Sequence, residues 1–244
     1  MTSERFDDRV AEIWSAHYGC RRQDLERAGT FMVPRERLTD SGAVHIVHIL
    51  SSACAEVDPQ LHADLDRLLA QRGEGTVLTG ELLKISVPTG RLLSADRGFI
   101  FHLEPDHLIA RLPKPPITLR PLTESDQLAL LELFGRCQPS EVEDAYIEVD
   151  HEIACGCFEG DQMVAAASGY RRSGFIDLGV LTDPSFRGRR LAPAMVAALS
   201  HECTAKNLIA MYRCDQTNGA SRRVAVASGF TQYFVTESLT LSRG

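Results

Sequence analysis

From Asp177 to Ala192 the chain reads Asp-Leu-Gly-Val-Leu-Thr-Asp-Pro-Ser-Phe-Arg-Gly-Arg-Arg-Leu-Ala. A strand-like run ends at Thr182, the backbone turns at Pro184, and a basic loop containing Gly188 opens a helical pattern. The first N–H groups of a helix have no intrahelical acceptor, and the aligned peptide dipoles give that end a partial positive charge. With Arg187, Arg189 and Arg190 added, the segment is suited to cradle a phosphate or pyrophosphate. A solvated basic turn before an ordinary helix accounts for the same residues equally well.

Other chemistry-bearing residues read as structural. Cys155 and Cys157 sit in an apolar run, where strand alternation puts both thiols on one side; no second Cys or His pair follows at metal-ligand spacing, so buried thiols are expected. His45 and His48 are three apart in Val-His-Ile-Val-His-Ile-Leu, a ligand spacing on a helix. The β-branched run there calls for a strand, which turns the two rings to opposite faces. No metal site is expected.

The elements that must position the basic loop are legible from Ile117 onward. Arg-Leu-Pro-Lys-Pro-Pro at 111–116 forbids helix and disfavours a central strand, so residues 113–116 read as a linker between a domain at 1–112 and one at 117–244. After it come a short strand, a Thr123/Asp126 capping signal, and a helix through Leu128, Leu131 and Phe134 ending near Gly135. Ser140 can cap a second helix through Tyr146. Strand-like runs follow at His151 to Glu159, Met163 to Arg171 and Phe175 to Thr182; Gly160-Asp161 and Ser173-Gly174 between them predict an antiparallel meander. Ala192, Val196, Leu199 and Cys203 mark one face of a helix within 187–206. A strand at Leu208 to Cys214, a helix at Gly219 to Ser228 closed by Gly229, and a strand at Gln232 to Leu241 complete a mixed α/β half. The first 110 residues are less legible. Trp14 and Tyr18 suggest a helix, Val44 to Leu50 a strand, Leu61 to Gln71 a helix and Phe99 to Leu103 a strand.

Residue by residue, Phe186-Arg187-Gly188-Arg189-Arg190-Leu191-Ala192 resembles motif A of the GNAT superfamily of N-acetyltransferases. Asn218-Gly-Ala-Ser-Arg-Arg-Val-Ala-Val-Ala-Ser-Gly-Phe230 resembles its motif B helix. The two lie about thirty residues apart with helix and strand between them, and the match extends upstream to the Ile117 strand. The resemblance implies a GNAT-type mixed, mainly antiparallel sheet flanked by helices, with acyl-CoA in the wedge between two splayed central strands. It implies that Val180, Leu181 and Thr182 pair with the pantetheine arm and that the backbone from Arg187, Gly188, Arg189, Arg190 and Leu191 to Ala192 holds the pyrophosphate. It further implies that Asn218 and Ser221 face the pantetheine or thiol, although Asn218 is equally a good cap. Two positions depart from the family pattern. Arg190 replaces the second glycine, and Ala225 stands where many members carry a general-acid tyrosine.

The implied reaction is transfer of acetyl from acetyl-CoA to a primary amine of a small molecule or peptide amino terminus by direct attack. Such a step needs a base, an oxyanion donor and positioning. Candidates for the chemistry are Asp177, on the right strand but on the wrong face by the period-two rule, and Cys214, at the end of the strand opposite, which reads otherwise as core; Glu141, Glu143 and Glu148 could approach from the second helix, and a solvated helix face explains them equally well. The alternative is a non-catalytic acyl-CoA-binding module, suggested by Arg190 and Ala225. A third reading makes the N-terminal α/β domain the recognition module, in one version a degenerate acyltransferase-like unit.

Bulk properties set the remaining expectations. The chain has 244 residues, 44% hydrophobic and 24% charged, ordinary for a globular protein. A formal charge of −7 argues against a nucleic-acid partner and is compatible with a cationic amine. No apolar run is long enough for a membrane span, and an acidic N-terminus and seven cysteines without paired spacing point to the cytoplasm. Expected partners are acetyl-CoA and an amine acceptor, with monomer and homodimer both open.

Overall fold

The computed structural model describes residues 3–88 and 90–242. In chain order the elements are α1 (Ser3–His17), β1 (Gly29–Pro34), β2 (Ala43–Ile49), β3 (Ser52–Val57), α2 (Pro59–Arg72), α3 (Gly80–Ser86), β4 (Leu92–His102), β5 (Ile117–Pro121), α4 (Gln127–Phe134), α5 (Pro139–Ala145), β6 (Ile153–Glu159), β7 (Gln162–Arg172), β8 (Phe175–Thr182), α6 (Leu191–Ala205), β9 (Ala210–Asp215), α7 (Gly219–Ala227) and β10 (Thr231–Leu241). The described residues fall into two compact units, one running up to Ile100 and resuming at Tyr233, the other spanning Phe101–Gln232. The Pro-rich segment at 113–116 therefore lies inside the second unit. From Tyr233 onward, β10 belongs to the first, where it pairs with β2 from Val235↔His48 to Thr240↔Ala43. No helix among the described residues is long and apolar enough to cross a membrane.

The first unit orders its strands β1-β3-β2-β10-β4, with β1 parallel to β3 and β2 antiparallel to both β3 and β10. Val44, Ile46, Ala55 and Val57 meet Leu61 and Leu65 of α2, Leu83 of α3 and Leu239 in its core. The Asp58 carboxylate caps α2 by accepting the Gln60 N–H at 3.0 Å, with Pro59 in the first helical turn. Strand β3 has no sequence signature because all of its residues are buried, which leaves no period-two alternation to read. As expected for a strand, β2 gives His45 and His48 different partners: His45 lies 3.2 Å from the Ser238 hydroxyl and His48 3.6 Å from the Glu237 carboxylate.

The second unit orders its strands β9-β8-β7-β6-β5. The meander from β5 to β8 is antiparallel, and β9 joins β8 in parallel. Ser173 and Gly174 both take positive φ, 51° and 85°, as a two-residue hairpin requires. Three local expectations need correction. Helix α4 forms and ends at Gly135, but its buried face is Leu130 and Leu133, leaving Leu128 and Leu131 exposed. Helix α5 is capped by Gln138, since Pro139 occupies its first turn, and it stops at Ala145; Tyr146 has left-handed backbone, φ 44°. Helix α6 starts at Leu191, so residues 187–190 are loop. Cys155 and Cys157 are buried in β6 as anticipated, and burial pushes the Cys157 thiol up to about 12.

Candidate functional site

Among the described residues, strands β8 and β9 pair through Ile176↔Ala210, Asp177↔Met211 and Leu178↔Tyr212. β8 continues to Thr182 on β7, its last pairs being Val180↔Ala167, Leu181↔Ala166 and Thr182↔Ala165, while β9 runs on to Asp215. The two central strands thus diverge after Leu178. A chain edge at 179–182 faces the gap, able to take an added extended segment as any sheet edge can. Gly179 marks the point of divergence for a steric reason: a Cβ there would lie 1.8 Å from the Ala145 carbonyl oxygen at the end of α5. Leu181 is buried in the core with Leu130, Leu133 and Ala145, whereas Val180 and Thr182 are half-buried.

The basic loop begins one residue later. Asp183 is buried, its carboxylate accepting the Ser185 N–H at 2.9 Å and the Arg136 Nε–H at 2.6 Å. Burial alone would raise its pKa; these donors outweigh that and hold it below the usual carboxylate range. Gly188 has φ 80° and Arg190 φ 62°, so two left-handed residues bracket Arg189 ahead of α6. Such alternation turns successive N–H groups to one side and makes an anion-binding concavity. Among the described residues, no protein acceptor takes the backbone N–H of Gly188, Arg189, Arg190, Leu191 or Ala192. Arg190 adopts the conformation usually left to glycine, at a cost of about 1–2 kcal/mol.

The three arginines do not share one task. Arg187 Nη2 donates to both oxygens of Glu141, at 2.9 and 2.8 Å, and its Nε donates to the Thr182 carbonyl at 3.3 Å. Arg189 lies 4.4 Å over the Phe186 ring and 3.5 Å from Glu159. Arg190 is exposed, and among the described residues its guanidinium has no carboxylate partner.

On the other side of the gap, Asn218 caps α7 by accepting the Ser221 N–H at 2.9 Å. The Ser221 hydroxyl lies 3.0 Å from the hydroxyl of Tyr212 on β9, a residue sequence reasoning passed over. Burial pushes the Tyr212 phenol up to about 12, with the Ser221 bond pulling the other way, so it remains a donor at neutral pH. Cys214 is half-buried and its thiol is raised, by burial first, with Arg222 opposing. Alternation along β9 puts Tyr212 and Cys214 on one face, the signal by which Tyr212 could have been found. Ala225 is fully buried.

The opposite face of β7 and β8 carries a further polar group. Asp177 is buried, accepting from Arg213 Nε at 2.8 Å and from the Tyr170 hydroxyl at 3.1 Å. Next to it, His151 lies 2.8 Å from the Ser168 hydroxyl through Nδ1 and 3.3 Å from the Glu148 carboxylate through Nε2. The ring centroids of Tyr146, His151 and Tyr170 are mutually within 5.1–5.2 Å. Of these residues the sequence had pointed only to Asp177 and Glu148; the others become a group through strand register, which places Tyr170 opposite Asp177 and Ser168 opposite Gly179.

Residues 151–236 match the family model described as GNAT acetyltransferase. No curated protein matches the chain. Solved structures do. A GNAT-family acetyltransferase from Colwellia psychrerythraea is similar with TM-score 0.52 at 15% identity, over 77% of this chain and 76% of that one. A GCN5-related N-acetyltransferase-like protein from Streptococcus suis gives 0.51 at 18% identity, over 84% and 87%. A third, from Sphaerobacter thermophilus, gives 0.51 at 13% identity, over 79% and 73%. At these identities the likeness is one of fold.

Proposed function

We propose that the second unit, of which residues 151–232 fall within the match to the GNAT acetyltransferase family model, transfers an acetyl group from acetyl-CoA to a primary amine of a small molecule or peptide amino terminus. The observation that carries this reading is the divergence of β8 from β9 after Leu178, followed at once by the donor-rich turn at 188–192. Backbone N–H groups without acceptors suit a diphosphate, and a bare strand edge suits an amide-bearing arm. In this reading Val180, Leu181 and Thr182 hold the pantetheine and Gly188 to Ala192 hold the pyrophosphate, with the Arg190 guanidinium adding charge. Arg187 and Arg189 shape the loop through Glu141 and Phe186.

Acetyl-CoA supplies the acyl group as a thioester; the amine lone pair forms the new C–N bond as the C–S bond breaks, one proton passes from nitrogen to solvent water, and the departing thiolate takes up another. The β8 edge serves as the oxyanion donor through a backbone N–H near Leu181. Ser221, fixed by Asn218 and backed by Tyr212, is the proton donor to sulfur, standing in for the absent tyrosine at Ala225. Asp177, held by Arg213 and Tyr170, positions rather than abstracts a proton.

The test is calorimetry of the full chain with CoA, followed by release of free thiol from acetyl-CoA across an amine panel. Heat of binding and thiol release with at least one amine are expected. Absence of CoA binding at near-millimolar concentration overturns the reading. Binding without turnover on any amine favours the second reading, a non-catalytic acyl-CoA-binding module, which the buried Ala225 at the general-acid position supports.

A further inference from the structure

We propose that the aromatic group of Tyr146, His151 and Tyr170, with its acidic surround, is the acceptor site of this enzyme and selects an aliphatic amine carrying more than one positive charge. The inference rests on the acetyltransferase reading above and adds the substrate class.

Position comes first. Tyr146 directly follows Ala145, whose carbonyl is seated against Gly179 at the point where β8 leaves β9. Its backbone therefore sits beside the point of divergence, and its ring lies against Tyr170, whose β-strand partner Asp177 is two residues before Gly179. Backbone conformation points the same way: Tyr146 is a non-glycine residue at φ 44°, half exposed, with strain of the kind that collects at ligand sites. Tyr170 meets its ring edge to face, at 5.1 Å and 84°, and His151 backs it at 5.2 Å. An exposed tyrosine face so supported is a surface for an ammonium group.

Charge then decides what kind of amine. Residues 139–152 contain Glu141, Glu143, Asp144, Glu148, Asp150 and Glu152 and no Lys or Arg. Glu141 is neutralised by Arg187 and Glu152 by Arg171, and Asp177 beneath the cluster by Arg213. Glu143, Asp144 and Asp150 are exposed and, among the described residues, without a cationic partner. Glu148 lies 3.3 Å from the His151 ring and, among the described residues, has no arginine or lysine partner. Arg172 Nη1, 3.5 Å from the Tyr170 hydroxyl, brings one cation to the cluster; set against Glu143, Asp144, Glu148 and Asp150, it leaves the segment around Tyr146 more anionic than one ammonium neutralises. A monoamine leaves that field unused, and the carboxylate of an amino acid is repelled by it. A linear polyamine places one nitrogen at the gap and a second cation against the tyrosine and the acids.

The experiment uses the full chain with spermidine as probe, against hexylamine, lysine and a lysine-rich peptide. Calorimetry without CoA tests spermidine binding directly, and thiol release tests turnover. Spermidine should show a KM about tenfold or more below that of hexylamine, a ratio that shrinks as salt is raised. Tyr146→Ala should raise the spermidine KM about tenfold while leaving the CoA Kd unchanged, and Tyr146→Phe should restore most of it. An equal or lower KM for hexylamine, lysine or the peptide overturns the proposal, as does a Tyr146→Ala effect confined to kcat. Spermidine binding without CoA binding would keep this site and refute the acetyltransferase reading; CoA binding with turnover of other amines but not spermidine would do the reverse. Failure of both ligands to bind overturns both.

Discussion

Tyr212 and Ser221 meet across two elements, the phenol of β9 and the hydroxyl of α7 standing 3.0 Å apart, oxygen to oxygen. The pair joins the two sides of the motif B region without using the position at which many GNAT members keep a tyrosine. If it delivers the proton to the departing sulfur, Tyr212→Phe and Ser221→Ala should each lower kcat roughly 10²-fold, the usual size of a lost general acid. The double variant should be little worse than either single one, because the two act as a unit. Steady-state kinetics with CoA affinity measured alongside separates this from a packing defect, which would weaken CoA binding as well.

Arg190 combines a glycine-like backbone with a guanidinium that has no carboxylate partner among the described residues. Arg190→Gly should relieve left-handed strain, adding up to about 1 kcal/mol of stability, yet weaken CoA binding several-fold by removing a charge from the diphosphate. Arg190→Ala should lose affinity without the gain in stability. Thermal melting and calorimetry on the same two variants check both halves; unchanged CoA affinity in each would remove Arg190 from the site.

Gly179 has no room for a side chain because α5 ends on it. Gly179→Ala should cost roughly 2–4 kcal/mol in urea unfolding, the range of an overpacked core position, or push α5 away from β8. Near-normal stability with normal activity would show that the close approach is not required.

In the first unit the buried Glu56 carboxylate faces His17 at 3.0 Å and Arg35 at 2.8 Å, with Arg37 also paired to it. Burial pushes its pKa up, but His17, Arg37 and Arg35 outweigh burial and hold it at about 2. A folded-state pKa below the unfolded one stabilises the protein fully above the unfolded value of about 4.3, and that contribution disappears as pH falls through the folded value. The melting temperature should therefore drop between about pH 4.3 and pH 2. Glu56→Gln should melt lower at pH 7, since two arginines lose their counter-charge, and should show a shallower fall in acid.

Much of the second unit was legible because its signals are local. Ser173-Gly174 encodes a hairpin whatever surrounds it, Asp126 closes the capping box on Thr123 at 2.8 Å, and Gly229 ends α7 with φ 96°. The basic loop and the Asn218 segment also stand out by residue type and spacing, before any contact is known. Helix α4 shows where local reading stops. Its leucines cover more than one face, so period alone could not choose between Leu128 with Leu131 and Leu130 with Leu133; burial against β7 made the choice.

What the sequence by itself determined is the order of elements after Ile117 and the motif positions, since turn chemistry, caps and period-two or helical patterns act over a few residues. Tertiary structure alone decided which charges are available. Arg187 is drawn to Glu141, 46 positions away, and Arg213 to Asp177, 36 away, while the Arg190 guanidinium has no carboxylate partner among the described residues. It also brought Tyr146, His151 and Tyr170 together, and it joined β10 to β2 across nearly two hundred residues. Strand register and helix docking set these meetings, and both depend on surfaces that no short segment contains.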